Sequence, residues 1–177
     1  MKKIIYLLSC SVLFNIAVYS QPTLEKRLLF DRQVELLLPQ EFKDSEDSNL
    51  IVTYPQVAKY PSYHFSNDSK MVNLLSTLSE KGIDDNGIPG YTDELLARLQ
   101  KLRKLKIIDD GILLQDGKNI GFVKFSTSKG KWGFHYIFYT SFKEKLLIFE
   151  FSCPKKSRGI WETTIEDIAN SIRIRET

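Results

Sequence analysis

The sequence predicts an α+β protein: one antiparallel sheet of about six to eight strands with helices packed on its faces. Three observations carry this. Residues 106–154 read as four strands joined by short turns, with Asp116-Gly117 as a strong two-residue hairpin signal. Two segments, one starting at Thr92 and one near Ile160, repeat apolar residues at helical spacing. No internal repeat and no second domain boundary interrupts the chain.

The start of the chain is a targeting pattern. Met1-Lys2-Lys3 precedes a short apolar run from Ile4 to Tyr19, which reads as a signal peptide cleaved after Ser20. The run is shorter than the roughly 20 apolar residues of a membrane span. The rival reading is a lipid anchor at Cys10, within Leu8-Ser9-Cys10, but the apolar core before that cysteine is only Ile4 to Leu8. The expected mature protein is one exported, soluble domain over residues 21–177, periplasmic or secreted.

Composition excludes several classes. The chain has 25 Lys and Arg against 22 Asp and Glu, and loss of Lys2 and Lys3 cuts the excess from three to one. So small an excess argues against nucleic acid as partner. With Cys10 removed, Cys153 stands alone, so neither an internal disulfide nor a cysteine metal site can form. The domain must rest on its hydrophobic core.

The elements follow in order. Leu24–Leu29 and Gln33–Leu38 form a hairpin about Asp31-Arg32, ending at Pro39, which cannot donate to a ladder. Gln40 to Ser48 is an acidic, polar loop. Tyr54-Pro55 and Tyr60-Pro61 then mark an extended crossover. Tyr63–Ser66 and Met71–Leu78 are the next strands, turning at Asn67-Asp68. Ser79 to Gly90, with its glycines and Asp84-Asp85-Asn86-Gly87, reads as a mobile loop. The first helix is expected from an N-cap at Thr92 to about Lys106, with Leu95, Leu99 and Leu102 as its stripe, widened by Leu96. Four strands follow: Ile107–Leu114, Ile120–Phe125, Lys131–Phe142 and Leu146–Cys153. The last two are apolar on both faces and should be central, covered on both sides. A helix over Ile160–Ile172, with Trp161, Ile165, Ile168, Ala169 and Ile172 inward, closes the chain.

This layout resembles the PsbP-like fold. The features that carry the likeness are the hairpin ending in Pro39, Lys59-Tyr60-Pro61 before the strand at Tyr63, and the mid-chain helix. The Asp116-Gly117 hairpin, the strand ending Phe151-Ser152-Cys153-Pro154 and the Trp161 helix complete it, over Leu24 to Ile174. The fold includes a lumenal photosystem II subunit, a Ran-binding import factor and many small exported bacterial proteins. The resemblance implies a non-enzymatic binding or assembly module, and some bacterial members look like immunity proteins that neutralise toxins. No family functional residue maps onto a position here.

The candidate chemistry is sparse. His64 and His135 both fall on strands and read as structural residues. Cys153 reads as a small apolar residue ending a buried strand, with nothing adjacent to lower its pKa. Asp84-Asp85-Asn86-Gly87 fails the EF-hand register, which would need an acid at Gly82 and a Glu at Asp93. The sequence therefore predicts no catalytic residue, no metal site and no cofactor.

A partner surface is expected instead, from tyrosines in the loops (Tyr54, Tyr60, Tyr63 and Tyr91) and from the basic helix face, Arg98 and Lys101 foremost. These tyrosines can equally pack on the sheet edge. The predicted function is a protein-binding module, either an immunity-type inhibitor or a subunit of an envelope complex. The alternative is a small-ligand or lipid carrier with an apolar pocket under one helix.

Overall fold

The structure, a computed structural model, describes residues 21–45, 61–128 and 133–175. The signal-peptide reading, Cys10, Tyr54, Tyr60, the proline crossover between them and Trp132 lie outside the described residues.

Alternation decides the first elements. Val34, Leu36 and Leu38 are buried on β2 (Val34–Pro39), while Glu35 points outward and anchors cations. β2 pairs antiparallel with β1 (Leu24–Leu29). The chain then contributes β3 (Lys43–Asp44), β4 (Tyr63–Ser66) and β5 (Asn73–Gly82). Helix α1 (Ile88–Gln100) separates these from β6 (Leu105–Gln115), β7 (Lys118–Thr127), β8 (Phe134–Phe142) and β9 (Lys145–Cys153). Helix α2 (Arg158–Asn170) and the short β10 (Arg173–Ile174) end the described chain.

The α+β class and the antiparallel pairing stand. Seven strands form the main sheet in the order β3-β4-β5-β9-β8-β7-β6. The opening hairpin does not join it. β1 and β2 make a separate three-stranded sheet with β10, a strand the sequence reading missed. Two residues of β10 pair with Val34 and Glu35, too short a run to leave an alternation signal.

The main sheet is covered on both faces, and all nine residues of β8 are buried. On one face Phe134, Tyr136, Phe138, Phe149 and Phe151 pack with α2 and the small sheet. Trp161 of α2 lies 5.5 Å from Phe42 and 5.9 Å from Phe151, ring centre to ring centre. On the other face Ile137, Tyr139, Val123, Phe125 and Ile148 pack against Ile88, Tyr91, Leu95 and Leu99 of α1.

Three expectations about α1 are corrected. Ser79 to Gly90 is not a mobile loop: β5 runs to Gly82, a 3-10 turn spans Asp85–Gly87, and α1 begins at Ile88. Thr92 is not the N-cap. Gly87 holds that position and Pro89 stands in the first turn, where a missing N–H costs nothing. Thr92 is instead buried, donating to Ile88 O at 3.0 Å while accepting from Tyr139 Oη at 2.8 Å. The helix stops at Gln100, so Leu102 falls outside it and is exposed rather than part of the stripe.

Candidate binding site

The residues singled out from sequence go to different places. Tyr63 on β4 turns toward the α2-side core: its ring meets Phe30 edge-on at 5.0 Å, and its hydroxyl accepts from Phe30 N at 3.0 Å. Tyr91 lies inside, 1% exposed, edge-on to Tyr139 at 4.9 Å. Burial pushes its phenol up to about 12. Tyr91 is thus a core residue, and its ring is not offered to a partner. Arg98 and Lys101 are exposed near the end of α1. Arg98 lies 3.4 Å from Glu94, which Lys81 contacts at 2.6 Å. The hydrogen bond from Lys81, chiefly, holds Glu94 below the usual carboxylate range.

The histidines and the cysteine are kept apart by the pleat. His64 Nε2 sits 3.0 Å from Asn73 Oδ1, and His135 Nδ1 sits 3.6 Å from Glu150 Oε1. Both histidines lie on the α1 side of the sheet, with β5 and β9 between their strands. Cys153 faces the α2 side, where burial pushes its thiol up to about 12. A thiol and an imidazole on opposite faces of one sheet cannot form a nucleophile–base pair. Among the described residues no group of His, Cys, Asp and Glu is placed to hold a metal ion, and no helix is long and apolar enough to cross a membrane.

A charged cleft of about 410 Å³ opens at one end of the sandwich, where several turns meet. The β1–β2 turn supplies Gln33, the 3-10 turn Asp84 and Asp85, and the β8–β9 turn Lys143 and Glu144. Lys118 and Arg175 complete the charged wall. Though Asp84 is exposed, the Asp84-Asp85 segment is fastened on both sides. Asp84 Oδ1 accepts from Gly87 N at 2.8 Å. The Asp85 carboxylate accepts from Asn119 N at 2.8 Å and from Asn119 Nδ2 at 2.9 Å. Ile83 N donates to Glu144 O at 2.9 Å, and Ser141 Oγ donates to Ile83 O at 2.8 Å, so the two walls are tied together.

Strain concentrates at this end. Phe30, Asp31 and Arg32 have φ of 50°, 55° and 67°, and Lys143 and Glu144 have 52° and 56°. Each non-glycine residue held there costs on the order of 1 kcal/mol. Two-residue hairpins of this kind favour Asn-Gly or Asp-Gly, as at Asp116-Gly117, whereas Lys143-Glu144 presents two long charged side chains instead. Asp31-Arg32 reads as a turn from sequence, but no local signal brings it to one cleft with Lys143-Glu144.

No family model matches the sequence, and no curated protein matches it. Solved structures do match. Cyanobacterial PsbP from Synechocystis sp. PCC 6803 superposes with a TM-score of 0.57 at 14% identity, over 92% of this chain and 98% of that one. LpqN of Mycobacterium tuberculosis, described as involved in cell envelope biogenesis, gives 0.55 at 10% identity, over 87% and 91%. The Ran-binding protein Mog1p of Saccharomyces cerevisiae gives 0.50 at 10% identity, over 87% and 96%. At such identities the likeness is one of architecture: this chain has the PsbP-like fold.

Proposed function

We propose that this protein is an exported, non-catalytic module that binds another protein through the charged cleft. Residues 1–20 would act as its signal peptide and residues 21–177 as its single domain. The observation that carries the reading is the cleft itself: cations (Lys118, Lys143, Arg175) and carboxylates (Asp84, Asp85, Glu144) share about 410 Å³ on strained but tightly fastened turns. A mixed-sign wall suits a protein partner with complementary charges, and fixed geometry lowers the ordering cost on binding. The separation of Cys153 from both histidines supports the absence of thiol catalysis. An immunity-type inhibitor of a toxin and a subunit of an envelope complex are the two concrete forms of this role. Arg98 and Lys101 would offer a separate basic surface at the far end of α1.

The carrier reading has less support. An apolar ligand would need space under a helix, but both faces of the sheet are filled by aromatic and aliphatic side chains, and the cleft, though Phe142 and Ile174 also line it, is ringed by charged groups.

The test is affinity capture from envelope extract with wild type beside a Lys143→Glu/Glu144→Lys exchange, which keeps net charge but inverts its pattern. A near-stoichiometric partner retained by wild type and lost by the exchange variant is expected. Equal capture by both would refute the cleft as the site. A co-purifying apolar molecule in native mass spectrometry would favour the carrier.

A further inference from the structure

β6 ends the seven-stranded sheet, and among the described residues no strand lies beyond it. The edge is long, Leu105–Gln115, and carries no proline. Edges of this length are usually shortened, covered or interrupted, because their outward N–H and C=O groups recruit another strand. Here the one interruption is a bulge, where the register with β7 shifts between Ile107 and Asp109.

That bulge separates charges of opposite sign. Lys106 on β6 precedes it, after Lys101, Arg103 and Lys104 on the connection from α1, all exposed. Asp109 and Asp110 follow it, also exposed. Among the described residues none of the four cations meets a carboxylate, whereas Asp109 lies 3.3 Å from Lys124. Exposed large apolar side chains mark the two ends: Leu102 at 43% before the bulge, Ile112 at 38% and Leu114 at 76% after it.

We propose that the β6 edge is a self-association surface, on which two copies of this chain pair β6 antiparallel about a two-fold axis near the bulge. Such an axis lays Lys106 and the cations just before β6 in one copy against Asp109 and Asp110 of the other, twice. It also carries Leu102 of each copy toward the Ile112–Leu114 end of the other. The interface is isologous and closes as a dimer. Head-to-tail growth is disfavoured, because the opposite edge of the sheet is β3, only two residues long. A foreign strand would need to reproduce both sets of charges, which a second copy already has.

The test is sedimentation equilibrium of the purified protein over a wide concentration range, with two variants. Lys104→Glu/Lys106→Glu places acidic side chains on both sides of the bulge, and Asp109→Asn/Asp110→Lys places basic ones on both sides. Wild type should dimerise as concentration rises. Each variant alone should dimerise about tenfold more weakly or worse, and an equimolar mixture should recover a heterodimer, since like charges then vanish from the pairing. Leu114→Lys, at a position too exposed to threaten the fold, should also weaken the dimer. A wild-type protein that stays monomeric up to its solubility limit overturns the proposal. So does a dimer indifferent to all three variants.

Discussion

Gly121→Ala is the sharpest probe of how α1 is seated. Gly121 on β7 lies beneath the Tyr139 ring. A Cβ there would collide with Cε2 of that ring, stand 2.7 Å from its Cζ, and stand 2.9 Å from Thr92 Oγ1. Tyr139 cannot yield easily, being edge-on to Tyr91 and bonded to Thr92 at 2.8 Å. Overpacking of this kind costs about 1–3 kcal/mol. Loss of the buried Tyr139–Thr92 bond adds roughly 1 kcal/mol. The sum, about 2–4 kcal/mol, is a large fraction of the 5–15 kcal/mol typical of a domain. The assay is urea unfolding followed by tryptophan fluorescence, with Gly90→Ala as control. A Cβ at Gly90 meets nothing within 4 Å, and the position is helical, so the control should be neutral or more stable by up to about 1 kcal/mol. If Gly121→Ala unfolds at the wild-type midpoint with an unchanged slope, the packing of α1 on Tyr139 is wrong.

Two further outcomes are expected. The Cys153 thiol is held neutral by burial, its pKa raised from near 9 to about 12, so below pH 9 it contributes fully to stability and above that it does so progressively less. Unfolding free energy should therefore fall as pH rises past 9, Cys153→Ala should flatten the first part of that fall, and iodoacetamide should label Cys153 only under unfolding conditions. Replacing Lys143-Glu144 by Asn-Gly relieves two strained positions and should raise stability by on the order of 1 kcal/mol in urea unfolding. The same change removes two charges from the cleft and should weaken partner capture, whereas undiminished capture would separate the strain from binding.

The sheet was legible wherever burial imposes a two-residue period. β8 and β9, apolar on both faces, read as central strands and are central. The α2 stripe of Trp161, Ile165, Ile168 and Ala169 is likewise buried as its spacing requires. The start of α1 was misread because Gly87-Ile88-Pro89-Gly90 has turn composition. The usable signal was the proline, which suits a first helical turn, together with Ile88, Tyr91, Leu95 and Leu99 on one face. Thr92 has cap chemistry, but its hydroxyl is satisfied by Ile88 O and by Tyr139, which lies 47 positions along the chain. Local propensity cannot register a partner at that distance. The cleft was illegible for the same reason. Gln33, Asp85, Lys118, Glu144 and Arg175 are scattered through the sequence, and only the antiparallel pairing returns their turns to one end.

The two histidines show what the pleat does with polar residues once they are in a sheet. Asn73 pairs directly across from Ser152, and Ser152 from His135, so polar residues line up on the α1 side across β5, β9 and β8. Leu75, Glu150 and Ile137 form the adjoining row, with His64 beyond Leu75 on β4. α1 covers the Val123, Ile137 and Ile148 part of this face, so the sheet presents apolar side chains beneath the helix and polar ones beside it. Buried polar atoms need partners, and His64 Nε2 finds one in Asn73 Oδ1 on the neighbouring strand, while His64 Nδ1 and Asn73 Nδ2 have none among the described residues. A row so arranged fixes strand register, because a one-residue slip of β5 would carry Asn73 into the aromatic core on the other face. The two histidines, read from sequence as structural, are better understood as register-setting residues. Exposed charged groups stand instead where strands end, at the turns of the charged cleft and along the outer edge of β6.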